Sequence, residues 1–175
     1  DDLTLPIQLT GSTLGFMDDY DETCPYAGTG APEVVYSLTP SADITVDIDL
    51  CGSDYDTKAY VYEDEYTPGE PYACDDDGNY NNGTNDDCIN LWTSVMLGVE
   101  LYAGSTYYIV VDGYGANFGN YVVDITESTG RISGNNDEID TRAALQLKNE
   151  APIERNTSRT NNRDFLGYAV YRAIE

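Results

Sequence analysis

The chain is expected to be an all-β protein, a β-sandwich or jelly roll of about eight strands with an extended C-terminal tail. Two observations lead there. Residues 1–130 contain a series of short apolar–polar alternations separated by turn residues, and none of them has a helical period. The composition then changes near residue 130. Residues 1–130 hold 25 acidic residues and one basic residue, Lys58, whereas residues 131–175 hold seven of each. An acidic, strand-forming head is thus followed by a balanced, Arg-containing tail.

The strands follow in order. Residues 3–10 (LTLPIQLT) alternate apolar and polar side chains. Residues 33–39 (EVVYSLT) and 44–50 (ITVDIDL) are separated by Pro40-Ser-Ala-Asp43 and read as an antiparallel hairpin. In the second of them Ile44, Val46, Ile48 and Leu50 are expected to face inward, with Thr45, Asp47 and Asp49 facing out. Further strands are expected at 57–62 (TKAYVY), 91–97 (LWTSVML), 106–111 (TYYIVV) and 120–126 (NYVVDIT). Residues 63–90 form a long loop rich in Asp, Asn, Gly and Tyr, a loop type that is usually functional or flexible. Residues 112–119 (DGYGANFG) make a glycine-rich turn. In the tail, residues 133–137 have linker composition, residues 140–149 suit a short helix or a strand equally, and residues 165–172 (FLGYAVYR) are again strand-like.

Several function classes are excluded by composition. The chain has no His, so it holds no Ser-His-Asp triad, no Cys-His dyad and no His-ligated zinc. No apolar run reaches the length of a membrane-spanning helix. A formal net charge of -24 disfavours nucleic acid and anionic lipid as partners, since both need cationic surface. The cysteines Cys24, Cys51, Cys74 and Cys88 all lie in the head, are even in number and form no CxxC pair. Two disulfides and an extracellular or cell-surface location are the natural reading. Of the three possible pairings, Cys74–Cys88 is favoured because it closes the Asp/Asn-rich loop, which leaves Cys24–Cys51.

Four stretches carry a family likeness: 11–24 (GSTLGFMDDYDETC), 31–62 (APEVVYSLTPSADITVDIDLCGSDYDTKAYVY), 73–78 (ACDDDG) and 101–125 (LYAGSTYYIVVDGYGANFGNYVVDI). Together they resemble the bacterial pre-peptidase C-terminal (PPC) domain over roughly residues 3–127. The resemblance implies an extracellular β-sandwich that is non-catalytic and is commonly appended to secreted proteases and other large surface proteins. Some members bind calcium and some bind extracellular polymers. Residues 164–172 (DFLGYAVYR) resemble one strand of a fibronectin type III domain. The chain divides accordingly into a sandwich at 1–128, a polar linker at 129–163 and a terminal strand at 164–175.

Calcium is the first candidate ligand. Asp75, Asp76, Asp77, Asn79, Asp86 and Asp87 crowd one loop, and Asp54 and Asp56, just before a strand, are expected at the same end of the sandwich. Calcium takes six to eight oxygens, which carboxylates and carbonyls supply, and adjacent carboxylates repel unless a cation sits between them. The stretch Asp75-Asp-Asp-Gly-Asn79 lacks EF-hand spacing. The plain alternative is a solvated acidic loop with Asx-turns. Tyrosine is the second feature, at 16 residues against 3 Phe. Tyr60 with Tyr62, or Tyr107 with Tyr108, cannot all face one core, so these rings either pack in half-buried strands or serve carbohydrate stacking or a protein interface. Trp92 is read as core. No carboxylate pair stands out for catalysis, and the chain is read as not an enzyme.

The third feature is the tail strand. Phe165, Leu166, Tyr168, Val170, Tyr171 and Arg172 are read as an assembly strand that adds to the sheet edge of another copy, the alternative being a tail that folds back on its own head. Head-to-tail contacts of that kind give rings or filaments. Asn82 and Asn156 begin glycosylation sequons. The function expected is thus a secreted or surface structural protein that binds calcium and self-assembles. The alternative is an accessory module that tethers a larger protein to a carbohydrate or protein matrix.

Overall fold

A computed structural model describes residues 5–23, 26–27, 30–81, 88–129 and 170–171. The strands are β1 (Ile7–Ser12), β2 (Val34–Leu38), β3 (Ile44–Asp49), β4 (Thr57–Glu63), β5 (Ala73–Asp75), β6 (Val95–Leu101), β7 (Tyr107–Gly113), β8 (Asn120–Glu127) and β9 (Val170–Tyr171), with a single helical turn α1 (Gly78–Asn81) between β5 and β6. They form two antiparallel sheets, β1-β8-β3-β6 and β5-β4-β7-β2-β9. One hydrophobic core lies between the sheets: Leu9, Val46, Ile48, Val99, Val123 and Ile125 face Val34, Tyr36, Leu38, Val61, Ile109 and Val111. The protein is a β-sandwich.

The alternation in β3 is as expected. Val46, Ile48 and Leu50 are fully buried, and Ile44 packs at the core margin. The hairpin expected from residues 33–50 does not form. β2 pairs with β7 and β3 pairs with β6 and β8, so Pro40–Asp43 carries the chain from one sheet to the other. Both strands present an apolar face to the same interior, and that demand is met by placing them opposite each other.

The strand expected at 91–97 lies instead at 95–101. Gly98, with φ of 68°, is the extra residue of a β-bulge between the Val46–Val99 and Ile48–Met96 pairs. Its N–H donates to Asp47 Oδ1 at 2.8 Å, which holds the bulge in place.

The second sheet is covered on its outer face as well. Val35, Tyr60, Tyr62 and Val110 form a smaller cluster there, packed with Tyr20, Cys74 and Tyr108. The β1–β2 connection and β7 supply the polar partners. Glu22 accepts the Tyr62 hydroxyl at 2.6 Å and the Gly69 N–H, while Asp112 accepts the Tyr60 hydroxyl at 2.8 Å. Lys58 is fully buried, donating to the carbonyls of Glu22 and Tyr26 with its ammonium over the Tyr60 ring. Tyr60 and Tyr62 are therefore interior residues, because this face of the sheet is roofed by the acidic connection.

The disulfide is Cys51–Cys88, with the Cα atoms 4.7 Å apart, and not Cys74–Cys88 with Cys24–Cys51. Cys51 follows β3 at the point where Asp49 pairs with Val95, so it sits beside the segment entering β6. The Ile89 N–H donates to the Cys51 carbonyl. Cys74, in β5, pairs across to Tyr60 and packs on the outer cluster of the other sheet, and it is disulfide-bonded too. Cys24 lies outside the described residues. Among the described residues no helix is long and apolar enough to cross a membrane.

Of the tail, only β9 is described. Val170 and Tyr171 pair antiparallel with Tyr36 and Val35 on the free edge of β2 in the same chain. Phe165, Leu166, Tyr168 and Arg172 lie outside the described residues, as do Asn82 and Asn156.

Candidate metal centre

Three of the expected ligands converge. Asp56, Asp76 and Asp77 each bring a carboxylate oxygen within 4.8 Å of the others. Asp56 stands at the entry to β4, and Asp76 and Asp77 fill the step between β5 and α1.

A buried hydrogen-bond network holds these two segments together. The Ser94 N–H donates to Thr57 Oγ1 at 2.8 Å, and the Ser94 hydroxyl reaches the Asp76 carbonyl at 2.9 Å. Thr57, next to Asp56, is thereby tied to the backbone that carries Asp76. Asp75 fastens the other side. Its Oδ2 accepts the Gly78 N–H at 2.7 Å, starting α1 as a cap does, and the Val95 N–H at 2.9 Å. Gly78 is required at this point, because a Cβ would lie 2.3 Å from that oxygen and 2.7 Å from the Val95 carbonyl.

Asp76 is the unusual member. It is 1% exposed, and neither carboxylate oxygen has a hydrogen-bond partner. Asp56 Oδ1 is also buried without one. Buried carboxylates are ordinarily paired or coordinate a cation, because removing an ion from water costs several kcal/mol. Burial, reinforced by Asp77, pushes the Asp76 carboxyl up to about 7, with Lys58 opposing. Burial and Asp77 likewise push Asp56 up to about 6. Asp77 is raised by burial. Burial is the largest cause of all three shifts, and repulsion from Asp77 adds at Asp56 and Asp76.

Three of the other expected ligands, Asp54, Asp75 and Asn79, are used elsewhere. Asp54 accepts the Asn120 backbone N–H and side-chain amide, both at 2.8 Å, and fixes the β7–β8 turn. Asp75 is the cap just described. Asn79 is buried and donates to Asp49, to Thr93 Oγ1 and to the Ser94 carbonyl. Asp86 and Asp87 lie outside the described residues. Thr57, Thr93 and Ser94, all fully buried, were not singled out from the sequence, where a short Thr/Ser pair at a strand entry carries no distinguishing signal.

Trp92 is not a core residue. It is 44% exposed and rests against Tyr80, with ring centroids 4.7 Å apart and planes at 37°. The Thr57 N–H donates to the Trp92 carbonyl, so the Trp92 backbone stands beside the Asp56 segment. Two concavities lie elsewhere. One of about 400 Å³ is lined by residues such as Asp43, Glu100 and Glu127, and one of about 430 Å³ by residues such as Asp21, Glu22 and Glu70. Neither touches the triad, which is the more informative site because an ion needs oxygens rather than volume. Comparisons with protein-family models, characterised proteins and solved structures gave no match.

Proposed function

We propose that the chain is a non-catalytic module of a secreted or cell-surface protein, of the PPC type, whose sandwich is stabilised by calcium at Asp56, Asp76 and Asp77. The observation that carries this reading is the buried Asp76 carboxylate with no hydrogen-bond partner on either oxygen. Three carboxylates provide up to six oxygens, within the range that calcium takes, and backbone carbonyls and water complete such a shell. Calcium that binds only the native state raises its melting temperature by mass action. The test is the melting temperature in chelator and in millimolar calcium. A rise of several degrees is expected, and no rise removes the metal.

Self-assembly is a second reading, favoured by the β9–β2 pairing. The β2 edge accepts Val170–Tyr171 in cis, and the same register accepts the strand from another copy, as in domain swapping. Deleting residues 164–175 then leaves a folded monomer, whereas the full chain forms larger species as its concentration rises. A full chain that stays monomeric at millimolar concentration ends this reading.

A further inference from the structure

The end of the sandwich that carries the acidic triad also carries exposed aromatic rings on fixed backbone. Trp92 and Tyr80 are each close to half exposed, and Tyr114 is 42% exposed. The chain beneath them is not loose. The Asn79 N–H and side-chain amide donate to the Thr93 carbonyl and hydroxyl, both at 3.0 Å, so the neighbours of Tyr80 and Trp92 are joined twice. The Trp92 N–H donates to Asn90 Oδ1 at 2.8 Å. On the opposite side the Tyr114 N–H donates to the Asp56 carbonyl at 3.1 Å. Rings of this size are normally buried or used, and rings held rigidly at the surface lose little freedom on binding.

We propose that this end is a calcium-dependent glycan site: a pyranose ring stacks on Trp92 and Tyr80 while its hydroxyls enter the coordination shell of a cation held by Asp56, Asp76 and Asp77. The inference rests on the calcium reading above. A sugar ring has an apolar C–H face that suits an aromatic plane and a hydroxyl rim that suits a hard cation; here Tyr80 lies in α1 just beyond Asp77, and the Trp92 carbonyl accepts the N–H of Thr57, next to Asp56. The charge selects among glycans. A formal net charge of -24 repels polyanions, so the occupant is a neutral hexose polymer.

Trp92 is the only tryptophan, so its fluorescence reports this site directly. The full chain is titrated with soluble mannan and laminarin, in calcium and in chelator, with polygalacturonate as the anionic contrast. A saturable change in Trp92 emission with a neutral polymer, lost in chelator, is expected. Sedimentation with insoluble mannan then compares variants. Trp92→Ala is expected to lose binding at least tenfold and Trp92→Phe to keep most of it, while both retain the calcium-dependent rise in melting temperature. Tyr80→Ala is expected to weaken binding several-fold. The proposal is overturned if no neutral polymer binds, if binding survives Trp92→Ala or chelator, or if only polygalacturonate binds. In each of those cases an intact calcium shift leaves the metal reading standing. Loss of the calcium shift in the wild-type chain brings down both.

Discussion

Tyr36 of β2 and Tyr121 of β8 meet hydroxyl to hydroxyl, 2.5 Å apart, in the space between the two sheets. Their rings are edge to face, with centroids 6.2 Å apart. Tyr121 reaches this position over Gly11, its partner in β1, where a Cβ would lie 2.4 Å from the Tyr121 oxygen. Tyr121→Phe leaves the buried Tyr36 hydroxyl without this partner and is expected to cost about 1–3 kcal/mol in urea unfolding. The double variant Tyr36→Phe/Tyr121→Phe is expected to lose clearly less than the sum of the singles. Additive losses would show that the hydroxyls do not depend on each other.

Removing charge from the triad is expected to act in opposite directions with and without metal. In chelator, Asp76→Asn relieves the repulsion from Asp56 and Asp77 and gives its amide two nearby acceptors. Its melting temperature is expected to lie about 2–5 °C above wild type there. In calcium the variant gains nothing further, and wild type overtakes it. Differential scanning calorimetry in the two buffers checks both orderings.

Stability is expected to fall as pH rises from 5 to 8. Burial pushes the Glu33 carboxyl up to about 8, against the Asp19 N–H that donates to it and with Asp112, Asp18 and Asp19 adding. Burial also pushes Asp112 up to about 7, despite hydrogen bonds from Gly113 and Tyr60. Between the ordinary carboxyl range and these values the native chain holds protons that the unfolded chain has released. Each such proton costs up to about 1.4 kcal/mol of stability per pH unit. Glu33→Gln keeps an acceptor for Asp19 and is expected to flatten the profile, narrowing the difference in melting temperature between pH 5 and pH 8 by about 5 °C in chelator. An unchanged slope would remove Glu33 as its source.

The Cys51–Cys88 link closes a loop across a sequence separation of 37 residues that contains the triad. Cys51→Ser/Cys88→Ser is expected to lower stability by about 4 kcal/mol through the entropy of the opened chain. It is also expected to weaken calcium, since the segment entering β6 is freed at its start. Peptide mapping that joins Cys51 to Cys88 distinguishes this link from the alternatives.

What could be read in advance was local, and what could not was a matter of partners. The alternation of Val46, Ile48 and Leu50 declares an inward face, and that face is where it was expected. Whether Pro40–Asp43 is a hairpin turn or a bridge between sheets depends on β7 and β8, far along the chain, and a short turn serves both. Gly98 looks like the end of a strand because glycine often is, yet here it is a bulge that lets the strand run on to Leu101. Tyr60 and Tyr62 alternate with Val61 as half-buried residues do. Their burial depends on the roof laid by Tyr20 and Glu22, which no periodicity within β4 reveals. At the candidate site the acidic loop was legible, because Asp75–Asp77 is a dense run. The sorting of its members was not, since the fastening role of Asp75 and the bare carboxylate of Asp76 are set by the Val95 N–H and by Ser94 on another strand. Cys51 was matched to Cys24 because loop closure favoured Cys74 for Cys88, and the strand order brought Cys51 to Cys88 instead.

Lys58, the sole basic residue of the first 130, points into the roofed face of β4. A protease that cuts after lysine or arginine therefore meets no scissile bond on the outside of this sandwich. Its one target there, the bond to Ala59, is buried at mid-sheet, where both flanking side chains are hidden. Trypsin nicking at that bond becomes a clock for the opening of β4.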